Sequence, residues 1–162
     1  MIDETRFKTF YAQTSRPLLA YLLRVAGEKP LADDVFQESY VRMLQSDLHE
    51  PTDAKLKSYL FTTATNLVRD HWRRAKKSAR WESEGTGDVS VTHHEAQADL
   101  RHDLGEALEG CSPQQRSLLW LAYVEGYQHK EIAEMLKLQE KSVKVLLFRA
   151  RHKLKEALAA QA

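Results

Sequence analysis

The sequence predicts an all-α protein made of two small helical domains joined by a flexible linker. Apolar residues recur at spacings of three and four through most of the chain, which is the period of an amphipathic helix, and no segment has the alternation of a strand. Residues 83–92 combine glycine, serine and threonine without any apolar period, as a linker does. A length of 162 residues suffices for two small domains, and a content of 6 Gly and 4 Pro suits helices.

Three helices are predicted in the first half of the chain. The first covers residues 7–25, where Pro17 removes a backbone donor and should kink the helix or divide it near Ser15. The second covers residues 31–46 and has a polar, acidic outer face. The third covers residues 54–76 and turns basic only toward its end. Each has an apolar stripe, so we expect the three to pack together.

The second half begins with a short helix predicted at residues 96–108. The next helix has a strong start signal, because Ser112 can act as N-cap, Pro113 suits the first helical position and Gln115 completes a capping box. That helix should end near Glu125, just before a glycine.

Two further helices, at residues 128–137 and 140–160, have the outline of a helix-turn-helix: a short helix, a tight turn and a longer basic helix. Lys137 stands where the turn often has glycine, so a left-handed backbone there would cost about 1 kcal/mol. The longer helix is expected to bury one side and to leave the other free for a partner. The buried side comprises Val143, Leu146, Leu147 and Leu154.

The formal net charge of +1 hides an uneven distribution. Residues 66–80 and 141–155 are strongly basic, whereas residues 82–109 between them are acidic. A single charge run is often only a solvated helix face. Two basic blocks, each ending a helical pattern, indicate two contacts with a polyanion.

Several classes of protein are not favoured. No apolar run approaches the roughly 18 residues of a membrane span, and residues 1–10 lack the pattern of a secretion signal, so we expect a cytoplasmic protein. Cys111 has no partner for an internal disulfide. The adjacent His93 and His94 lack the spacing of a helical metal site, and no phosphate loop or nucleophile motif occurs. We therefore expect no catalytic residues, no metal and no cofactor.

Residues 111–158, with SPQQR, EGYQHKEIAEML and SVKVLLFRARHKLKEAL, resemble region 4 of the extracytoplasmic-function (ECF) sigma factors of bacterial RNA polymerase. In the first half, LADDVFQESYVRML resembles the region 2 helix that docks on core polymerase, and SYLFTTATNLVRDHWRRAKK resembles the helix that opens promoter DNA. The resemblance covers about residues 7–77 and 103–158. It implies a region 2 helical bundle at residues 1–80, a linker at 81–98 and region 4 at 99–162.

The resemblance also implies three sets of functional residues. Those that bind core polymerase are Asp34, Gln37 and Glu38. Those that contact the minus-ten promoter element and its displaced strand are Asn66, Asp70, Trp72, Arg73, Arg74, Lys76 and Lys77. Those that contact the minus-thirty-five element are Arg116, Lys141, Ser142, Lys144, Val145, Phe148 and Arg149, with Arg116 on the DNA backbone.

Simpler interpretations stay open for some of these residues. The acidic face of the second helix is also what an ordinary solvated helix presents, and the acidic linker is equally a solvated tether. Tyr59 and Trp72 are at least as easily explained as core aromatics. The basic residues that follow Trp72 are better candidates, because consecutive cations are not buried cheaply.

The function implied is that of an alternative sigma factor, which binds core RNA polymerase and directs it to specific promoters. Members of the family are commonly held inactive by an anti-sigma protein, so we expect such a partner, without direct membrane insertion of this chain. The chain ends soon after the region 4 pattern, so no regulatory C-terminal extension is expected. The alternative is a helix-turn-helix regulator that acts without polymerase, but it gives no purpose to the first half.

Overall fold

The computed structural model describes residues 2–75, 81–82 and 105–160. Three helices form the first half: α1 (Glu4–Val25), α2 (Lys29–Leu44) and α3 (Asp53–Arg74). In the second half, α4 (Pro113–Leu119) continues into a π-helical segment (Trp120–Val124) and is followed by α5 (His129–Leu136) and α6 (Glu140–Ala160). The all-α prediction is confirmed, since none of the described residues lies in a strand. The predicted linker at 83–92 lies outside the described residues. Of the short helix predicted at 96–108 only 105–108 are described; they are helical, and the helix continues to residue 109.

Helix α1 runs without interruption through Pro17, so of the two alternatives predicted, a kink or a division near Ser15, the division is wrong. The helix starts at an N-cap, where the Asp3 carboxylate accepts a hydrogen bond from the Arg6 backbone N–H at 2.7 Å. Its buried residues lie on the same face of the helix before and after the proline. They are Phe10, Thr14, Leu18, Tyr21, Leu22 and Val25. Packing of this continuous stripe outweighs the roughly 3 kcal/mol that an internal proline costs.

Buried hydroxyl pairs fix the packing within the first three helices. The hydroxyls of Thr14 and Tyr40 lie 2.6 Å apart and join α1 to α2. Those of Tyr21 and Thr65 lie 2.7 Å apart and join α1 to α3. Burial raises the pKa of the Tyr21 phenol to about 12, so that the phenol stays neutral in this core. Each pair satisfies polar groups that would otherwise be costly to bury.

The capping box predicted at the start of α4 is confirmed. The Gln115 backbone N–H donates to the Ser112 hydroxyl at 3.1 Å, and the Ser112 N–H donates to Gln115 Oε1 at 3.0 Å. The chain leaves this helix at Gly126, which has φ of +76°. The π-helical turn before it was not predicted. There, the Glu125 N–H donates to the Trp120 carbonyl, five residues back, at 3.0 Å.

The turn between α5 and α6 has the left-handed backbone predicted for Lys137, with φ of 56° and ψ of 46°. The Leu138 N–H donates to the Ala133 carbonyl at 2.8 Å and closes the end of α5. The helix-turn-helix is thus formed despite the missing glycine.

We expect Lys137→Gly to raise the free energy of unfolding by about 1 kcal/mol, because glycine adopts this conformation without a Cβ penalty. Urea unfolding followed by circular dichroism measures the change. Lys144→Gly is the matched control: Lys144 is exposed within α6, and glycine there should lower stability by about 1 kcal/mol. A loss of stability in Lys137→Gly similar to that of the control would contradict the expectation.

The two halves pack against each other, α1 on α4 and α3 on α5. The rings of Tyr21 and Trp120 meet at 6.3 Å between centroids. Lys57 on α3 forms an ion pair with Glu125 at 3.1 Å, and the Glu125 side chain is only 5% exposed. This packing decides which surfaces of each half are free.

Candidate nucleic-acid interface

Helix α2 presents the predicted acidic face to solvent. Asp34, Gln37 and Glu38 are exposed and share one side of the helix through spacings of three and four. Glu38 also pairs with Arg42 on the same helix at 3.0 Å. A groove runs between this face and the end of α3, where His71 and Arg74 line its other side. The predicted polymerase-binding face therefore borders the predicted minus-ten cations.

The end of α3 carries exposed positive charge. Arg73 and Arg74 are both exposed, and Arg73 reaches the Asp70 carboxylate only at 3.8 Å. Asn66 and Asp70 are half-buried on the preceding turns. Cations at this position also suit the negative end of the helix dipole. Lys76 and Lys77, predicted for the same element, lie outside the described residues.

Trp72 occupies the core and not the surface. Its side chain is 6% exposed, and the His71 ring packs edge-on against it at 5.2 Å between centroids. This position agrees with the simpler interpretation of the sequence, in which Trp72 is a core aromatic. In this conformation, the indole offers no face on which a displaced base can stack.

Helix α6 divides its residues as a recognition helix requires. Val143 and Leu147 are buried against the rest of the second half, and Leu146 and Leu154 are half-buried. The opposite side is exposed, and Phe148, at 63%, is the most exposed of the large apolar side chains described. The exposed predicted residues are Lys141, Lys144, Val145, Phe148 and Arg149, with Ser142 half-buried. Together they form a surface of mixed positive and apolar character along about two turns.

Arg116, predicted to contact the DNA backbone, is buried in the structure. Its side chain is 3% exposed. The guanidinium donates hydrogen bonds to four backbone carbonyls, at distances of 2.7 to 3.0 Å. These belong to Leu108 (2.7 Å), Cys111 (3.0 Å), Glu109 (3.0 Å) and Arg24 (2.9 Å).

The placement of Arg116 has a physical cause. Residues 105–109 are helical, and the last carbonyls of a helix have no partner within it. Two of the four acceptors, Leu108 and Glu109, are such carbonyls. From α4 the arginine donates to both, and the Leu108 carbonyl also accepts from the Cys111 N–H at 2.9 Å. In this conformation Arg116 therefore has a structural role and is unavailable to DNA.

Arg69 was not predicted as a functional residue, although it lies in the basic block at the end of α3. Its guanidinium donates to the Leu136 carbonyl at 2.7 Å and lies 5.5 Å from the centroid of the Trp81 ring. In the sequence it stands four residues before Arg73, and this spacing puts the two arginines on the same side of α3. That spacing could have identified Arg69 as a candidate. The contact with Leu136 joins the two halves directly.

The described residues include no group of three or more His, Cys, Asp or Glu side chains that could hold a metal ion. His93 and His94, considered for a metal from the sequence, lie outside these residues. None of the helices in the described ranges is long and apolar enough to cross a membrane.

An exposed cationic helix end in one half and a helix-turn-helix in the other define a DNA-binding transcription protein. Comparison with known families matches residues 10–78 to Sigma-70 region 2 and residues 101–154 to Sigma-70 region 4. The chain belongs to the ECF sigma factors, the alternative sigma factors that bind core RNA polymerase and direct it to promoters. The region 2 match accounts for the half that a polymerase-independent regulator would leave unexplained.

Individual relatives agree with this assignment. The chain is 30% identical over 145 residues to the ECF sigma factor SigL of Mycobacterium tuberculosis, covering 85% of this chain and 80% of SigL. It is 27% identical over 148 residues to SigM of Bacillus subtilis, covering 90% of each. Its structure is similar to that of the sigma factor RpoE of Bartonella quintana, solved with the anti-sigma factor NepR. That likeness has a TM-score of 0.73 at 25% identity and covers 96% of this chain and 98% of RpoE.

Proposed function

We propose that this sigma factor contacts promoter DNA through two separate surfaces and core polymerase through a third. The exposed face of α6 is the single observation that carries the proposal. A helix that buries Val143 and Leu147 while it leaves Phe148 63% exposed needs a partner for that outer face. In this proposal residues 1–80 are region 2, residues 81–98 the linker and residues 99–162 region 4.

The acidic face of α2 binds core RNA polymerase. Asp34 and Glu38 add negative charge to one exposed stripe, and Gln37 adds an amide that donates and accepts hydrogen bonds. Such a stripe suits a basic helical surface on the partner. The chemistry of RNA synthesis belongs to the polymerase, and this chain has no catalytic residues of its own. It acts in the cytoplasm, where polymerase and DNA are found.

The end of α3 contacts the minus-ten element and its displaced strand. Single-stranded DNA is bound by a cationic track together with groups that stack on bases or read their edges. Arg73 and Arg74 supply the charge, and Asp70 and Asn66, both half-buried, lie one and two turns earlier on α3. Lys76 and Lys77 extend the track in sequence. Trp72 belongs to the hydrophobic core and is not assigned to DNA binding.

Helix α6 reads the minus-thirty-five element in the major groove. Residues near the N-terminus of a recognition helix reach base edges, which suits Lys141, Ser142 and Lys144. Val145 offers apolar contact to a thymine methyl group. Phe148 extends this apolar strip, and Arg149 is placed for a phosphate.

We expect Lys144→Ala combined with Arg149→Ala to weaken binding of the polymerase complex to promoter DNA. Loss of two DNA contacts should reduce the slope of log affinity against log salt by about 2. Filter binding across a salt series measures both quantities. Lys8→Ala combined with Arg16→Ala removes the same charge from exposed positions on α1 and should change neither. An unchanged slope in the α6 variant would contradict the role of this face.

An anti-sigma protein is the expected regulator. RpoE of Bartonella quintana binds such a protein, NepR. This chain has a comparable fold over 96% of its length. A partner of this kind would act on the chain directly, without insertion of the sigma factor into a membrane.

A further inference from the structure

Arg69 links the two halves at a chemically specific point. Leu136 is the last residue of α5, and its carbonyl is one of those that a helix leaves without an internal partner. The Arg69 guanidinium donates to this carbonyl at 2.7 Å, and the positive charge also suits the negative end of α5. A residue of α3 in the first half therefore completes the end of a helix in the second.

The surroundings of Arg69 hold its guanidinium in place. The ring of Trp81, itself 4% exposed, lies 5.5 Å from the guanidinium carbon, a distance typical of a cation–π contact. Burial, and then the charge of Arg73, lower the pKa of Arg69 below its ordinary value. Burying the Arg69 guanidinium costs free energy. The hydrogen bond to the Leu136 carbonyl offsets that cost while the two halves are in contact.

The packed arrangement does not suit simultaneous contact with both promoter elements. Elements named for positions 10 and 35 are about 25 base pairs apart, or roughly 85 Å along B-form DNA. In the structure, Arg73 lies one turn from Arg69, α3 packs on α5, and Lys141 is five residues beyond Leu136. The sum of these three separations gives an upper limit of roughly 35 Å for the distance between the backbones of Arg73 and Lys141. The two halves must separate before both elements are bound.

We propose that Arg69 is a latch that holds region 2 against region 4 in the free factor, in a closed form that cannot span a promoter. The latch opens when the halves separate, and Arg69 then joins Arg73 on the cationic side of α3. The inference rests on the proposed function for its biological meaning, but the latch itself is a property of the free chain. Lys57 and Glu125, an ion pair at 3.1 Å in which the carboxylate is almost fully buried, form a second contact between the halves.

The test measures the separation of the halves in the free, full-length chain by single-molecule energy transfer. Cys111 is replaced by serine, and dyes are attached at Ala12→Cys on α1 and Ala159→Cys near the end of α6, both exposed positions. We expect the parent to be mainly closed. Arg69→Gln should raise the ratio of open to closed molecules about tenfold, the effect of one charge-assisted hydrogen bond. Arg16→Gln, the same change at an exposed position on α1, should leave the ratio unaltered.

Circular dichroism distinguishes opening from unfolding, since an opened chain keeps its helicity. If Arg69→Gln loses helicity, Lys57→Gln tests the second contact and should open the chain in the same direction. A parent that is already open, or an Arg69→Gln ratio equal to that of the parent, overturns the latch. Because polymerase and DNA are absent from the measurement, its failure would leave the proposed DNA and polymerase surfaces untouched.

Discussion

Promoter-specific initiation is expected to fall roughly a hundredfold when Arg73 and Arg74 are both replaced by alanine. Each loses a charge-assisted contact worth about 1.5 kcal/mol, and two such losses together correspond to a factor of about a hundred. The folded state should be little affected, because both side chains are exposed and the ion pair of Arg73 with Asp70 is long, at 3.8 Å.

The measurement is RNA synthesis from a defined promoter, with sigma in excess so that polymerase binding does not limit the rate. Lys8→Ala combined with Arg16→Ala controls for loss of charge. A template that is already melted across the minus-ten element separates strand opening from strand binding. Activity restored on that template would assign the two arginines to opening alone, and activity equal to that of the parent on both templates would contradict the role proposed for them.

Arg116→Ala is expected to have the largest effect on stability, a loss of about 3 to 4 kcal/mol in the free energy of unfolding. The change leaves the carbonyls of Glu109, Cys111 and Arg24 without the guanidinium, whereas the Leu108 carbonyl keeps a hydrogen bond from the Cys111 N–H at 2.9 Å. An unsatisfied buried acceptor costs about 1 kcal/mol or more. Since small proteins are stable by only about 5 to 15 kcal/mol, the loss should be conspicuous in a thermal melt.

Arg149→Ala provides the control, because Arg149 is exposed on α6 and its loss should change stability by less than about 0.5 kcal/mol. Comparison of the Arg116→Ala and Arg149→Ala variants also distinguishes a structural role of Arg116 from a role in DNA binding. A normal melt for Arg116→Ala, together with weaker binding of the polymerase complex to DNA, would favour the phosphate contact suggested by the family resemblance. A strongly lowered melt supports the structural role.

Features that depend on a few neighbouring residues were predictable from the sequence. The capping box of Ser112 and Gln115 is one, and the left-handed turn at Lys137 is another. The two sides of α6 were also predictable, because apolar residues at helical spacing define the buried side. Val143 and Leu147 are buried as expected.

Features that depend on distant partners were not predictable. Pro17 predicts a kink or a division of the helix, but the buried stripe packed against α2 and α3 keeps α1 one continuous helix. Arg116 and Arg69 resemble surface cations in sequence. Arg24, one of the acceptors of Arg116, lies 92 residues away, and Leu136, the acceptor of Arg69, lies 67 residues away; local patterns carry no information about such contacts.

The most direct test of the central claim is to mix the purified chain with bacterial core RNA polymerase and to sequence the 5′ ends of the RNA made from a genomic DNA library. We expect a stable complex and RNA that begins at discrete sites sharing two upstream elements. The absence of a polymerase complex, together with tight sequence-specific DNA binding by the chain alone, would contradict the account in favour of a regulator that acts without polymerase.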